Sequence, residues 1–217
     1  MLKPAKTKSA DAKPLVFVVD DDDDVREGVR ALLQSVSLDC ELFRSTVEFL
    51  ARQPAAETAS CLILDVRLPG ASGLDFQIEL ANTHVDIPII FITGYADVPM
   101  SVRAMKAGAV EFLTKPLREQ DLLDAVRAAL TKDQLRRQRD NQLQQLRQRF
   151  ASLTEQERLV MLGVTDGLLN KQIAAKMKLA EVTVKAHRHS LIRKLDAKSV
   201  PDLVRMVELL GIGKEET

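Results

Sequence analysis

The 217-residue chain carries 31 Lys and Arg against 31 Asp and Glu, and 46% of its residues are hydrophobic. That balance excludes a disordered chain, and no apolar run approaches the ~18 residues a membrane span needs, so no membrane partner is expected. Two Cys and three His exclude a disulfide framework and leave too few ligands for a zinc set. The neutral total hides an asymmetry. Residues 1–130 hold 14 basic and 20 acidic residues, a net of −6, whereas residues 131–217 hold 17 and 11, a net of +6. Length and charge together predict two domains with different partners, the basic one a candidate for nucleic acid.

In chain order, MLKPAKTKSADAKP lacks the apolar core of a secretory signal, and residues 1–13 are expected to be a disordered tail of a cytoplasmic protein. Residues 14–130 then alternate apolar runs with helical spacing. Leu15–Val19, Glu41–Phe43, Cys61–Asp65, Ile87–Thr93 and Ala109–Leu113 read as strands. Helices are expected through Val25–Val36, Thr46–Ala51, Leu74–Leu80, Val98–Lys106 and from Glu119 onward. This is the pattern of βαβ units, so the fold class predicted is α/β followed by all-α. The first domain is a flavodoxin-like (βα)5 unit whose parallel sheet has strand order 2-1-3-4-5. Residues 131–150 form a helical linker without Gly or Pro. Leu143, Leu146, Phe150 and Leu153 make a short apolar seam that suits either a solvated helix or a two-heptad coiled coil. Residues 151–211 read as four helices: one capped at Thr154, one capped at Asn170, one over Glu181–Leu195 and one begun at Ser199. The three-residue turn at 178–180 is a helix-turn-helix signal, and residues 212–217 are a second tail.

In an open parallel sheet, chemistry sits beyond the carboxyl ends of the strands. Asp20, Asp21, Asp65, Thr93 and Lys115 all fall there. Three converging carboxylates repel unless a cation joins them, and an all-oxygen set with few protein ligands suits Mg2+, with Mn2+ as a substitute. A carboxylate in such a site can attack a phosphoryl group to give an aspartyl phosphate. The run Asp20–Asp24 fails as a calcium loop, because Val25 stands where Gly is needed and Ala31 where Glu is needed. Asp22–Asp24 are read as a solvated loop.

The strings VFVVDDD, LILDVRLPGASG, FITGYADVPMSVRAMKAGAVEFLTKP and LTEQERLVMLGVTDGLLNKQIAAKM resemble a two-component response regulator of the NarL/FixJ family. Such proteins join a receiver domain to a LuxR-type helix-turn-helix, and the resemblance covers about residues 14–210. It implies Asp65 as phosphoacceptor, Asp20 and Asp21 as the metal-binding acidic pair, and the Arg67 backbone carbonyl as a further metal ligand. It also implies Thr93 as switch hydroxyl, Phe112 as switch aromatic, Lys115 as the conserved-type lysine and a cis Lys115–Pro116 peptide. Val98, Met100, Val102 and Met105 offer a dimerisation face. Cys40 and Cys61 fall on opposite sides of the first strand, ~9.6 Å apart, so both are expected as free thiols.

On the third effector helix, Val184, Leu191 and Leu195 share one face, with His187 at its edge as a structural histidine. Lys185, His189 and Arg193 lie outward. Lys185 and His189 are expected to meet base edges, and Arg188, Lys171 and Lys194 to meet phosphates. Ala180 stands where many family members have a capping Ser. The function expected is a phosphorylation-dependent transcriptional regulator, not an enzyme. Its expected partners are a sensor histidine kinase, RNA polymerase, a second copy of itself on phosphorylation, and double-stranded DNA bearing an imperfect palindrome. The alternatives are a phosphorylation-independent regulator with a silent receiver and a Mg2+-dependent aspartyl-phosphate phosphatase.

Overall fold

The structure, a computed structural model, describes residues 13–52, 58–83 and 85–212. The two expected tails lie almost wholly outside these residues. The chain divides into two compact units between Arg137 and Gln138.

The first unit runs β1 (Leu15–Val19), α1 (Asp23–Ser35), β2 (Asp39–Phe43), α2 (Thr46–Arg52), β3 (Ser60–Asp65), β4 (Arg67–Leu68), β5 (Ala71–Ser72), α3 (Gly73–Asn82), β6 (Ile89–Thr93), α4 (Val98–Lys106) and β7 (Glu111–Thr114). The helix α5 (Glu119–Ala151) then continues without a break through the expected linker. Five strands form one parallel sheet in the order β2-β1-β3-β6-β7. This is the predicted 2-1-3-4-5 order once the two-residue hairpin strands β4 and β5, which the sequence reading did not anticipate, are set aside.

Period-two side-chain alternation sends residues of each central strand to opposite faces. Val16, Val18, Ile63, Ile90 and Ile92 pack with Val29 and Leu33 of α1 and Leu122 and Val126 of α5. Phe17, Val19, Leu62, Leu64 and Phe91 pack with Phe49, Phe76, Leu80 and Ala104 of α2, α3 and α4. Because both faces are covered, the strands read as continuous apolar runs rather than as alternation. Cys40 and Cys61 are both paired in register with Val16, one from each side, and both are free.

Several local readings change. Asp22–Asp24 do not form a solvated loop. Asp22 caps α1, accepting the N–H groups of Asp24 (2.9 Å) and Val25 (3.4 Å), and the other two acids occupy the first turn, where the helix dipole favours them. On α5, the fully buried Asp133 accepts the Ser60 N–H at 2.8 Å and pairs with Arg136 and Arg137, fixing the helix beside the start of β3.

The second unit comprises α6 (Glu155–Thr165), α7 (Asn170–Met177), α8 (Glu181–Leu195) and α9 (Val200–Leu209), with the last turns of α5. Leu146 and Leu153 are buried in its core beside Val160, Met161, Ile173, Leu191 and Leu203, with Phe150 packed against them. Most of the apolar seam therefore serves this core. Thr154 and Glu157 form the predicted capping box of α6, and Ser199 caps α9. Asn170 does not cap α7. Leu169 holds that position, and the Gln172 side chain returns to its N–H at 2.8 Å.

Candidate functional site

Parallel pairing in register puts the ends of β1, β3, β6 and β7 along one edge of the sheet. Asp20 follows β1, Asp65 ends β3, Thr93 ends β6, and Lys115 follows β7. The Lys115 ammonium donates to Asp20 Oδ2 and to Asp65 Oδ2, both at 2.6 Å. Asp65 Oδ1 accepts the Arg67 N–H at 2.9 Å, and Asp20 Oδ1 accepts the Asp22 N–H at 3.0 Å. Carboxylate oxygens of Asp20, Asp21 and Asp65 lie within 4.8 Å of one another, with Asp20 and Asp65 buried and Asp21 exposed. Lys115–Pro116 is cis.

Three carboxylates and one ammonium leave a net charge of −2, which a divalent cation would cancel. Burial raises the Asp20 carboxyl above its ordinary pKa, opposed by bonds from Lys115 and the Asp22 amide. At Lys115, burial works against the charged form, yet the bonds to Asp20 and Asp65 outweigh it and raise the pKa, so the ammonium stays charged.

Thr93 is fully buried, and its hydroxyl both donates to the Tyr95 carbonyl and accepts the Tyr95 N–H, each at 3.3 Å. Phe112 is half-buried, its ring 6.2 Å from that of Phe91. Of the four residues on the expected dimerisation face, Val98, Val102 and Met105 are exposed, while Met100 turns into the core.

Two side-chain contacts and one close approach beside the site were not anticipated. Arg26, buried on α1, donates to the Asp20 carbonyl and pairs with Asp23. Its i, i+3 spacing from Asp23 was the available signal. The Arg67 guanidinium lies 4.7 Å from the ring centroid of Tyr95, the chain's one tyrosine. Gly73 sets the close approach of α3. A Cβ there would stand 2.4 Å from the Asp65 carbonyl oxygen.

In the second unit, α7 ends at Lys178 in the left-handed region, and the turn 178–180 leads into α8. Ala180 opens α8 without a side-chain cap, as expected from its residue type. Val184, Leu191 and Leu195 are buried; Lys171, Lys185, His189 and Arg193 are exposed. Lys185 pairs with Glu181 at 3.1 Å. The remaining two expected phosphate ligands have intradomain partners. Arg188 donates to Asn170 Oδ1 at 3.0 Å, tying α8 to the start of α7. Lys194 donates to the buried Glu157 at 2.6 Å and to the Ser152 carbonyl at 3.2 Å, so it is turned toward the core rather than outward.

Comparison with known proteins agrees with both halves of this description. Residues 16–127 match the response regulator receiver domain, and residues 151–207 match the bacterial regulatory proteins of the luxR family. The chain is 50% identical over 208 residues to nodulation protein W of Bradyrhizobium diazoefficiens, covering 96% of this chain and 91% of that protein. It is 44% identical over 200 residues to the response regulator protein TmoT of Ectopseudomonas mendocina, covering 92% and 90%. Among solved structures, the response regulator StyR is 50% identical with a TM-score of 0.82, covering 91% of this chain and 99% of that one. The chain belongs to the NarL/FixJ family of two-component response regulators, DNA-binding transcriptional regulators that join a receiver domain to a LuxR-type helix-turn-helix.

Proposed function

We propose that a sensor histidine kinase phosphorylates Asp65 and that this modification controls DNA binding by residues 151–211, with 14–130 acting as receiver and 131–150 as linker. The observation that carries the reading is the Lys115 ammonium held 2.6 Å from both Asp20 and Asp65. An Asp65 oxygen attacks the phosphorus of a phosphohistidine, a P–O bond forms as the P–N bond breaks, and the imidazole leaves. Asp20, Asp21, Asp65 and the Arg67 carbonyl would hold Mg2+, or Mn2+ in its place, which would supply countercharge to the phosphoryl group.

The chain's own residues then change partners. Lys115 gives up its bond to Asp65 and meets a phosphoryl oxygen. The Thr93 hydroxyl, whose bonds to Tyr95 are long at 3.3 Å, turns to a second phosphoryl oxygen, a stronger, charged acceptor. Phe112 turns into the space vacated. This is a two-state packing change driven by differential contacts. Val98, Val102 and Met105 then pair with a second copy. The dimer presents two α8 helices to an imperfect palindrome, with Lys185 and His189 at base edges and Lys171, Arg188 and Arg193 near phosphates. Bound there, in the cytoplasm, it recruits RNA polymerase. The chain itself is no free-standing enzyme, since phosphoryl transfer to its own Asp65 is the only chemistry the site is asked to perform.

Intact-mass measurement after incubation with acetyl phosphate and Mg2+ tests the acceptor. Wild type gains one phosphoryl group and Asp65→Asn gains none. Equal gain by both would place the modification elsewhere.

A further inference from the structure

Beyond the residues expected to read DNA, α8 carries an apolar pair where solvent-facing charge would serve stability better. Successive residues turn by ~100° along a helix, so the line opposite the buried Val184, Leu191 and Leu195 passes through Val182, Ala186, His189 and Arg193. Val182 is 71% exposed, and Ala186 is exposed beside it, one turn on. Neither belongs to the core of its own unit. The fold does not ask for valine at this position. It is the second residue of α8, it caps nothing, and a β-branched residue is a weaker helix former than a charged straight-chain one. A lone exposed apolar residue needs no explanation; here two stand at i, i+4 on the outermost line.

Lys185 lies beside the pair on α8, where it pairs with Glu181 at 3.1 Å, Arg193 stands further along the same line, and Lys171 is exposed on α7. A small apolar tip on a helix face that also carries exposed cations matches one kind of surface, a base edge between phosphates. The first residues of a recognition helix are those that reach base edges in the major groove. There the thymine 5-methyl is the one apolar group on offer. Every alternative presents amines or acceptors that an isopropyl group would desolvate without pairing.

We infer that Val182, with Ala186 beside it, seats a thymine methyl in the major groove, so that each half-site carries a required thymine next to the base pair met by Lys185. The inference rests on the DNA-binding reading above.

The test uses the full chain, treated with acetyl phosphate and Mg2+. A randomised duplex library is selected for binding, and each thymine of the selected duplex is then replaced in turn by deoxyuridine, which lacks only the methyl. One replacement per half-site should weaken wild-type binding about fourfold, the ~0.8 kcal/mol of one buried methyl group. Val182→Ser should lose a similar factor on the thymine duplex and be indifferent to uracil at that position. Val182 makes no core contact, so the variant should keep the wild-type helical circular dichroism. Wild-type indifference to every uracil, or a full uracil penalty in Val182→Ser, overturns the inference and leaves DNA binding intact. If Val182→Ser binds the thymine duplex as well as wild type does, the inference is likewise overturned. Failure of the library to enrich any sequence overturns the DNA-binding reading and this inference with it.

Discussion

Glu157 gives the effector domain a measurable pH dependence. It is 3% exposed at the third position of α6, accepts the Thr154 N–H at 2.8 Å and takes the Lys194 ammonium at 2.6 Å. Burial raises its pKa, but Lys194, the Ser190 hydroxyl and the Thr154 amide outweigh that and bring it from 4.5 to about 2. A folded-state pKa below the unfolded one means stability that is complete above pH ~4.5 and is lost as pH falls toward 2. The difference corresponds to at most about 3 kcal/mol, and to about 2 kcal/mol after allowance for solvent screening. Urea unfolding of the full chain, followed by circular dichroism and localised by hydrogen exchange in α6–α8 peptides, should find Glu157→Gln less stable by that amount at pH 7. The gap should shrink to about a quarter of its size by pH 2.5. Lys194→Met should cost at least as much at pH 7, because it leaves a buried carboxylate unpaired. A gap that stays constant from pH 7 to 2.5 would refute the assignment of the stabilisation to this carboxylate.

Gly73→Ala should destabilise the receiver by about 1–3 kcal/mol and slow phosphorylation, since its Cβ must displace the Asp65 main chain; a variant with wild-type stability and acetyl phosphate kinetics would show that the α3–β3 approach is not tight. Ala180→Ser should stabilise the effector domain by about 0.5–1 kcal/mol by giving α8 the cap it lacks, read as a higher urea midpoint at unchanged slope. Tyr95 is the chain's one tyrosine, and there is no tryptophan, so Mg2+ binding beside Arg67 should change tyrosine emission in wild type and leave it unchanged in Asp21→Ala. Equal changes in both would place the cation elsewhere.

How much of this was legible in sequence follows from the range of each interaction. β1, β3 and β6 are buried on both faces, so their residues stand out as unbroken apolar runs. The acids and the lysine at the strand ends follow from those runs. Thr154 and Ser199 are legible because a cap is a three-residue affair. Asp133 was not, for its partner Ser60 lies 73 positions away and the carboxylate reads as one more charge on a polar helix. Lys194 is expected at a phosphate as a cation of the third effector helix. Only the packing of α6 against α8 shows Glu157 beneath it. The seam from Leu146 to Leu153 has the same spacing whether it meets a partner helix or its own domain's core, and tertiary structure alone decides between them.

In the proposed mechanism, chemistry at Asp65 sets the affinity for DNA. The direct test measures binding of wild type and Asp65→Asn to one selected duplex, each with and without acetyl phosphate and Mg2+. Treated wild type should bind at least about tenfold tighter, ~1.4 kcal/mol, and Asp65→Asn should not change. Equal tightening of both proteins, or none in wild type that has gained its phosphoryl group by mass, would contradict it.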